Sequence, residues 1–458
     1  MGLWGNPYDF ADPVSGLIPE YQERVVDAIE QAVRDAAGAM EPVTFKVGAV
    51  RMRDQDPYFN GAKFGGKNPT DKMHGTIHDI RNPVVVSDQL LVMQGVGDSG
   101  AAVFTWTNWS EHPEVWGDEN TLLSSDWVGV TRTVLDAEYG GVAVHMPECL
   151  GGMQSAGGGD LPLVDEDGVH VFQTCDEAAV ADPDDDGCFG KQVGDTRTDG
   201  DGDPVPEWPD NETWEFTRSH GWHIAEAAME ALAAGEVVQA TPLRVESEPL
   251  YVPITNVGFQ MLGGMGIFDL TFDDAVYDPE LCPEASEVEM GCLELRTFRV
   301  QLGPIGLVTA PGELFPEIAW GLPADDSRWL DEVDDPAARG PDSAYFPQHD
   351  ADCNEVEWSD CNDTTEFGDC DCLAIHAWPY TLNPDPAVPP LLDSLDTDYR
   401  AVLGMLDTYA GYIVPQPDFN THVSLLTEDG DHYVDTVSMS YLFGTKLQEG
   451  QARIDARW

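Results

Sequence analysis

The feature that most constrains this sequence is a switch of hydrophobic period, from helical to strand-like and back, repeated along the chain. Residues 19–40 carry Val25, Val26, Ile29, Val33 and Ala37 at helical spacing, and Pro19 and Glu20 suit a first turn. Strand-like runs follow at 45–52, 83–94 and 101–109. A second helix is predicted to start at Ser124 or Ser125, either of which can cap it, and to stop at Gly140-Gly141. A strand over 142–146 then leads into a glycine-rich turn. The alternation resumes with a helix over 219–236, striped by Ile224, Ala227, Ala228 and Leu232. Strands over 241–254 and 294–309 follow, then a helix beginning near Glu313, a helical segment over 398–405, and the run 409–414. There is no internal repeat. Strands alternating with helices predict a mixed α/β fold, a layered sheet with flanking helices and long acidic, cysteine-bearing loop insertions.

Those insertions interrupt what otherwise reads as a single domain. Residues 157–212 are acidic, apolar-poor and turn-rich, and are expected to form a surface insertion, partly disordered unless cations bind it. Residues 323–395 form a second acidic region, rich in cysteine. Asp182-Pro183-Asp184-Asp185-Asp186-Gly187 and Asp199-Gly200-Asp201-Gly202-Asp203 make Ca2+ a candidate ligand of the acidic loops, although the closing bidentate glutamate of an EF-hand is missing. Across the chain 84 Asp and Glu stand against 22 Lys and Arg, a formal charge of −62. Such a surface repels phosphate backbones and anionic headgroups, which excludes nucleic acid as a partner. Two readings of the acidity stay open: a strongly solvated surface suited to high salt, and one that collects divalent cations.

Of the nine cysteines, eight lie in turn-rich stretches. Cys175/Cys188 and Cys282/Cys292 are spaced like short loop staples, and Cys353, Cys361, Cys370 and Cys372 form a third cluster. A zinc knuckle competes for that last cluster, but Cys370-Asp371-Cys372 fits zinc-site spacing poorly. Cys149 stands apart and reads as a buried thiol. Loop disulfides imply an oxidising, extracytoplasmic setting: secreted, periplasmic or cell-surface. No apolar run reaches bilayer-spanning length, and no signal peptide is present, so the natural start is expected upstream of Met1.

Four short segments are candidates for chemistry. In Asn108-Trp109-Ser110-Glu111-His112-Pro113 a histidine follows directly on a strand, where loops converge, although a lone histidine is more often structural. Glu148-Cys149-Leu150-Gly151-Gly152-Met153-Gln154-Ser155 is a glycine-rich turn that lets backbone approach a ligand, or an ordinary tight turn. Ala310-Pro311-Gly312-Glu313-Leu314 puts a carboxylate after a strand, where helix-dipole compensation would also explain it. Tyr409-Ala410-Gly411-Tyr412 offers two phenols that packing alone could account for.

In this order the segments resemble the neutral ceramidase family. NWSEHPEVWGDENTLLSSD, residues 108–126, is similar to that family's motif of a zinc-binding histidine, a proline and a later Ser-(Ser/Ala)-Asp. The Gly-Val-Ala-Val strand, the glycine turn, the Pro-Gly-Glu and the Tyr-x-x-Tyr then follow as in that family. The resemblance implies a zinc-dependent hydrolase that cleaves the N-acyl amide bond of ceramide or a related lipid amide through metal-bound hydroxide. It implies Zn2+ as cofactor, held by His112, Glu313 and Tyr412. It also implies catalytic roles for Tyr433, Arg81 and Ser155, and substrate contacts at Gly151, Gly152 and Gln154. Two departures stand out. The family's His-x-His-Ser-Gly-Pro motif, which holds the first ligand, is missing, so activity is expected to be impaired in a chain beginning after it. The family's Gly-Asp-x-Ser-Pro turn is replaced by Gly151-Gly152-Met153-Gln154-Ser155, leaving either Gln154 or Ser155 in the serine's place. The alternative is a non-catalytic extracellular acidic protein of the same fold that binds calcium.

Overall fold

The computed structural model describes residues 18–52, 78–79, 87–117, 120–154, 161–183, 185, 187–199, 202, 204–210, 213–238, 242–256, 258–260, 276–283, 291–321, 389–415 and 437–458. The chain is a mixed α/β protein built on two principal sheets. The first contains β1 (Val43–Arg51), β3 (Gln89–Gly97), β4 (Ala102–Trp109), β5 (Val142–Pro147) and β7 (Glu236–Val238), in the order β5-β4-β3-β1-β7. The second contains β8 (Leu243–Pro253), β9 (Cys292–Leu302), β10 (Ile305–Thr309) and β12 (Tyr399–Leu403), in the order β12-β10-β9-β8. Two short pairs complete the strands: β2 (His78–Asp79) with β6 (Met153–Gln154), and β11 (Glu313–Leu314) with β13 (Tyr412–Ile413).

Three apolar interfaces stack these elements into four layers. Leu90 and Val92 of β3 point away from the second sheet, into a core shared with α2 (Asp126–Tyr139) and α4 (Trp214–Ala234). Leu91, between them, points the other way, and with Val47, Trp106 and Val238 meets Ile305, Ala401 and Leu403 of the second sheet. Period-two alternation thus buries both faces of β3. The far side of the second sheet packs on α5 (Pro316–Trp320), the turn Leu391–Ser394 and α6 (Phe443–Asp455). Gly48 is where α4 touches β1: a Cβ there would lie 1.9 Å from the carbonyl oxygen of Ala231. The α4 helix starts under a Thr213 cap, whose hydroxyl accepts from Phe216 N at 3.1 Å.

Each sheet ends in one parallel pair at an edge. β4 and β5 run parallel from Phe104↔Val142 to Trp109↔Pro147, and β10 and β12 from Ile305↔Tyr399 to Thr309↔Leu403. The two edges are tied together. Asn108 Nδ2 donates to Met146 O in its own sheet and to Val402 O in the facing one, each at 3.0 Å. Gly404 N donates to Pro147 O at 3.0 Å.

Several sequence expectations are corrected. Residues 398–405 are not helical but contain β12, whose apolar run pairs with β10 inside the second sheet. No helix begins at Glu313, because Glu313 pairs with Tyr412 as strand and the helix waits for Pro316 at its first turn. The run 294–309 is a hairpin of β9 and β10. Helix α6, near the end of the chain, was not anticipated. The first helix, α1 (Pro19–Gly38), forms as expected, but Val25, Val26, Ile29 and Val33 are exposed.

The first insertion forms α3 (Glu177–Ala181) and a set of isolated bridges, Phe172↔Pro206 and Thr174↔Thr196 among them. Disulfides join Cys175 to Cys188 and Cys282 to Cys292. Cys149 is fully buried. Cys353, Cys361, Cys370 and Cys372 lie outside the described residues, as does most of 323–395.

Replacing Asn108 with alanine would strip a donor from two buried carbonyls at the seam of the sheets. A loss of roughly 1–3 kcal/mol is expected. It should appear as a lower urea midpoint with an unchanged denaturant slope; an unaltered midpoint would show that the seam does not depend on this amide.

Candidate functional site

Just past β4, residues 110–117 are tied by hydrogen bonds to residues 126–127 and to neighbouring elements, and this is what presents His112. Trp109 Nε1 donates to Glu111 Oε2 at 2.9 Å, and His220 Nε2 of α4 donates to the same oxygen at 2.8 Å. Ser110 Oγ donates to Glu148 Oε2 at 2.9 Å, and Ser87 binds the same carboxylate oxygen. The loop beyond His112 is gathered by Asp126, which accepts from Val115 N at 3.2 Å, Trp116 N at 3.0 Å and Trp127 N at 2.7 Å. Asp126 sits at φ 51. That left-handed backbone costs a non-glycine residue about 1–2 kcal/mol, which the three charge-assisted bonds offset. Trp127 Nε1 then donates to His112 O at 3.1 Å. The backbone of His112 is held from both sides before its ring does anything.

The ring has two distinct ends. Nδ1 donates to Met153 O at 2.6 Å, which commits that nitrogen to carrying a proton. Nε2 faces Glu313 Oε2 at 2.9 Å. The other carboxylate oxygen of Glu313 accepts the Tyr409 hydroxyl at 2.6 Å. Tyr412, opposite Glu313 in the parallel β11/β13 register, hydrogen-bonds the same carboxylate. The glycine turn makes the Met153 contact possible. A Cβ on Gly151 would lie 2.3 Å from the Phe315 ring and 2.6 Å from Glu313 O, so only glycine lets this turn lie against β11. Gly151 N donates to Leu314 O at 2.9 Å, and Gly152 adopts φ 74.

Charge and burial oppose each other here. Burial disfavours an imidazolium at His112, but the hydrogen bond and charge of Glu313 outweigh it and lift the pKa to about 9. Burial likewise pushes Glu313 up, and the bonds from His112, Tyr409 and Tyr412 override it, so its carboxyl stays below the usual range. Both groups keep a route to solvent: the His112 side chain is 19% exposed and that of Glu313 9%.

The three candidate ligands His112, Glu313 and Tyr412, separated by 201 and 99 positions in the chain, therefore converge on one carboxylate. Gly151 and Gly152 lie in the turn against them, and the backbone of Gln154 pairs with His78. Arg81, Ser155 and Tyr433 lie outside the described residues. Sequence reasoning assigned no role to Glu111 or His220, and it quoted Asp126 only as the end of the Ser-Ser-Asp motif. It noted Tyr409 only as half of a pair. The Tyr-x-x-Tyr spacing was the available signal, since the Gly411 kink at φ 86 turns both phenols toward Glu313.

No protein-family model matches the sequence, and no curated protein matches it. Among solved structures, the neutral ceramidase from Pseudomonas aeruginosa overlaps 96% of this chain at 12% identity and a TM-score of 0.48, with 57% of its own length covered. A ceramidase complexed with C2 overlaps 96% at 11% identity and a TM-score of 0.48, with 58% covered. Both structural neighbours are ceramidases. The chain spans less than three fifths of their length. At that degree of overlap, the chemistry has to be read from this chain's own side chains.

The His112–Glu313 pair predicts how the stability of the fold responds to pH. A histidine whose folded pKa is raised contributes stability that is fully present below about 6.5 and is lost as pH rises through about 9. In chelator-treated protein, the stability difference between wild type and His112→Gln should be largest near pH 6 and should shrink steadily toward pH 9.5. A difference that does not change with pH over that window would mean His112 is neutral in the fold.

Proposed function

We propose that this chain is a ceramidase-like, zinc-dependent hydrolase in which His112, Glu313 and Tyr412 hold the ion, and that it cleaves the N-acyl amide bond of ceramide or a related lipid amide. The observation that carries this reading is the 2.9 Å approach of His112 Nε2 to Glu313 Oε2, with Nδ1 of the same ring already given to Met153 O. A histidine that donates its other N–H to a backbone carbonyl is in the form a metal ligand takes. The donors also fit the ion: imidazole nitrogen, carboxylate oxygen and phenol oxygen form the borderline N/O set that zinc prefers. In the metal-free chain a proton occupies the gap between His112 and Glu313, and metal binding releases such protons.

When bound, zinc polarises a carbonyl and lowers the pKa of water from about 15.7 to about 7. The chain's own residues position that chemistry. Met153 O orients the imidazole, Tyr409 holds Glu313 in place, and the Gly151-Gly152 turn keeps β11 against the histidine loop. We assign catalytic roles to Tyr433, Arg81 and Ser155, the first two stabilising the oxyanion of the cleaved amide, and substrate contacts to Gly151, Gly152 and Gln154. The lipid-amide class is taken from the ceramidases that the sequence motifs resemble. The two disulfides support an extracytoplasmic setting, and among the described residues no helix is long and apolar enough to cross a membrane.

Metal content after dialysis and fatty-acid release from labelled ceramide test the proposal on the full chain. His112→Ala and Glu313→Gln are each expected to remove one equivalent of zinc and to abolish fatty-acid release. Tyr433→Phe should keep the zinc but lower kcat by about 100-fold, the usual cost of one oxyanion donor. Zinc content unchanged by His112→Ala would sink the ligand assignment. Full zinc loading without hydrolysis of any lipid amide would sink the substrate class.

A further inference from the structure

A second group of metal-type donors lies where the first insertion meets α4. His223 and Glu226 stand three residues apart on α4, one turn along the same face. His170 reaches them from a hairpin closed by the Val164↔His170 bridge. His170 Nε2 lies 3.2 Å from each oxygen of Glu226, and His223 Nδ1 lies 3.6 Å from Glu226 Oε2. All three donor groups lie within 4.8 Å of one another.

We propose that His170, His223 and Glu226 form a second binding site for a zinc-class divalent ion, independent of the His112 site, that clasps the acidic insertion onto α4. Three features of the geometry point to it. The first is spacing: two ligands about 2.0–2.1 Å from a tetrahedral zinc lie roughly 3.3 Å apart. The separations of 3.2 and 3.6 Å to Glu226 bracket that edge, and the donor nitrogens of the two imidazoles lie within 4.8 Å of each other. The second is the tautomer of His223. Its Nε2 donates to Pro162 O at 2.9 Å, which leaves Nδ1 to face the Glu226 carboxylate with a lone pair. A cation between that nitrogen and the carboxylate would be bound by both.

The third feature is that the hairpin is held in place without the ion. Arg218 Nε donates to Val164 O at 3.0 Å, and Val164 N donates to Ser219 Oγ at 2.9 Å. Asp165 Oδ1 accepts from Asp167 N and Val169 N, each at 2.9 Å, closing the turn that carries His170. The site keeps a way in, since the His170 and Glu226 side chains are 25% and 35% exposed while His223 is buried. Two nitrogens and a carboxylate favour zinc, cobalt or nickel over the all-oxygen coordination of calcium and magnesium.

Cobalt(II) is the probe, titrated into full-length His112→Ala protein, whose first site is disabled, and followed by visible d–d absorption and equilibrium dialysis. One tight equivalent with a tetrahedral-type spectrum is expected. Glu226→Gln, which preserves shape, and His170→Ala, at a partly exposed position, should each weaken binding by more than about 100-fold, beyond the range for a mere outer-shell partner. Far-ultraviolet dichroism would show that both variants keep their helices. Two results would overturn the site: no stoichiometric cobalt in the His112→Ala protein, or equal affinity in all three proteins, the signature of adsorption to the acidic surface. Neither result bears on the zinc lost through His112→Ala, so the two sites fail separately.

Discussion

Burying a carboxylate is costly unless donors surround it, and this chain buries several of them around one seam. Asp88, Glu111, Asp126, Glu148, Glu313 and Glu317 are all buried, in a protein that has few cations to pair with them. Most of the compensation is by hydrogen bonding and not by Lys or Arg. Glu111 takes an indole and an imidazole, Asp126 three backbone amides, Glu148 two serine hydroxyls, and Glu313 an imidazole and two phenols. Removing any one donor leaves an underpaired charge in low dielectric, so the network is cooperative. The conformation of the loop that bears His112 follows from those four carboxylates.

The seam itself follows from strand direction. Parallel neighbours β4 and β5 end one sheet, parallel neighbours β10 and β12 end the other, and Asn108 and Gly404 tie those edges together. Each of the four strands delivers one part of the site from its carboxyl end. β4 runs to His112, β5 to the turn whose Met153 orients it, β10 to Glu313, and β12 to Tyr409 and Tyr412. Parallel strands place their carboxyl ends side by side, which is why ligands of open α/β sheets collect there. Here two such edges face each other, so donors from across the chain meet without a long structured loop.

How much of this was legible depends on whether a signal was periodic. The helices of the outer layer and strands β1, β3, β4 and β5 of the first sheet show clear periods, and their existence could be read directly, whereas the three-residue β7 is too short to show one and begins where the expected helix ends. β12 could not, because Tyr399-Arg400-Ala401-Val402-Leu403 becomes apolar on both faces in a parallel edge pair, and such a run reads equally well as buried helix. α6 carries Gly444 and Gly450 among charged residues, which hides its apolar stripe of Phe443, Leu447 and Ile454. Of the site, His112 and Glu313 were visible as polar residues just past strands. The β11/β13 pairing that sets Tyr412 against Glu313 was not, since two-residue strands have no period to detect. His223 and Glu226 share a readable three-residue spacing, whereas His170 stands 53 positions earlier in a stretch that looked merely acidic.

The acidity that dominates the composition bears on the sites in a different way from fold. With 84 carboxylates, weak hard-cation binding is available almost anywhere on the surface, and a site built of oxygens alone would hardly be distinguished from its surroundings. The field of a strongly anionic surface raises the local concentration of every divalent ion, and salt screens that effect. Discrimination has to come from donor type and geometry. Both clusters described here supply it the same way: an imidazole oriented by a backbone carbonyl, Met153 for His112 and Pro162 for His223, faces a carboxylate from another part of the chain or the next turn of the helix. In the sites proposed, the nitrogen would select against calcium and magnesium, and the carbonyl would decide which nitrogen is offered. In such a protein the rarer residue, histidine, at 11 copies, carries the information that the common one cannot.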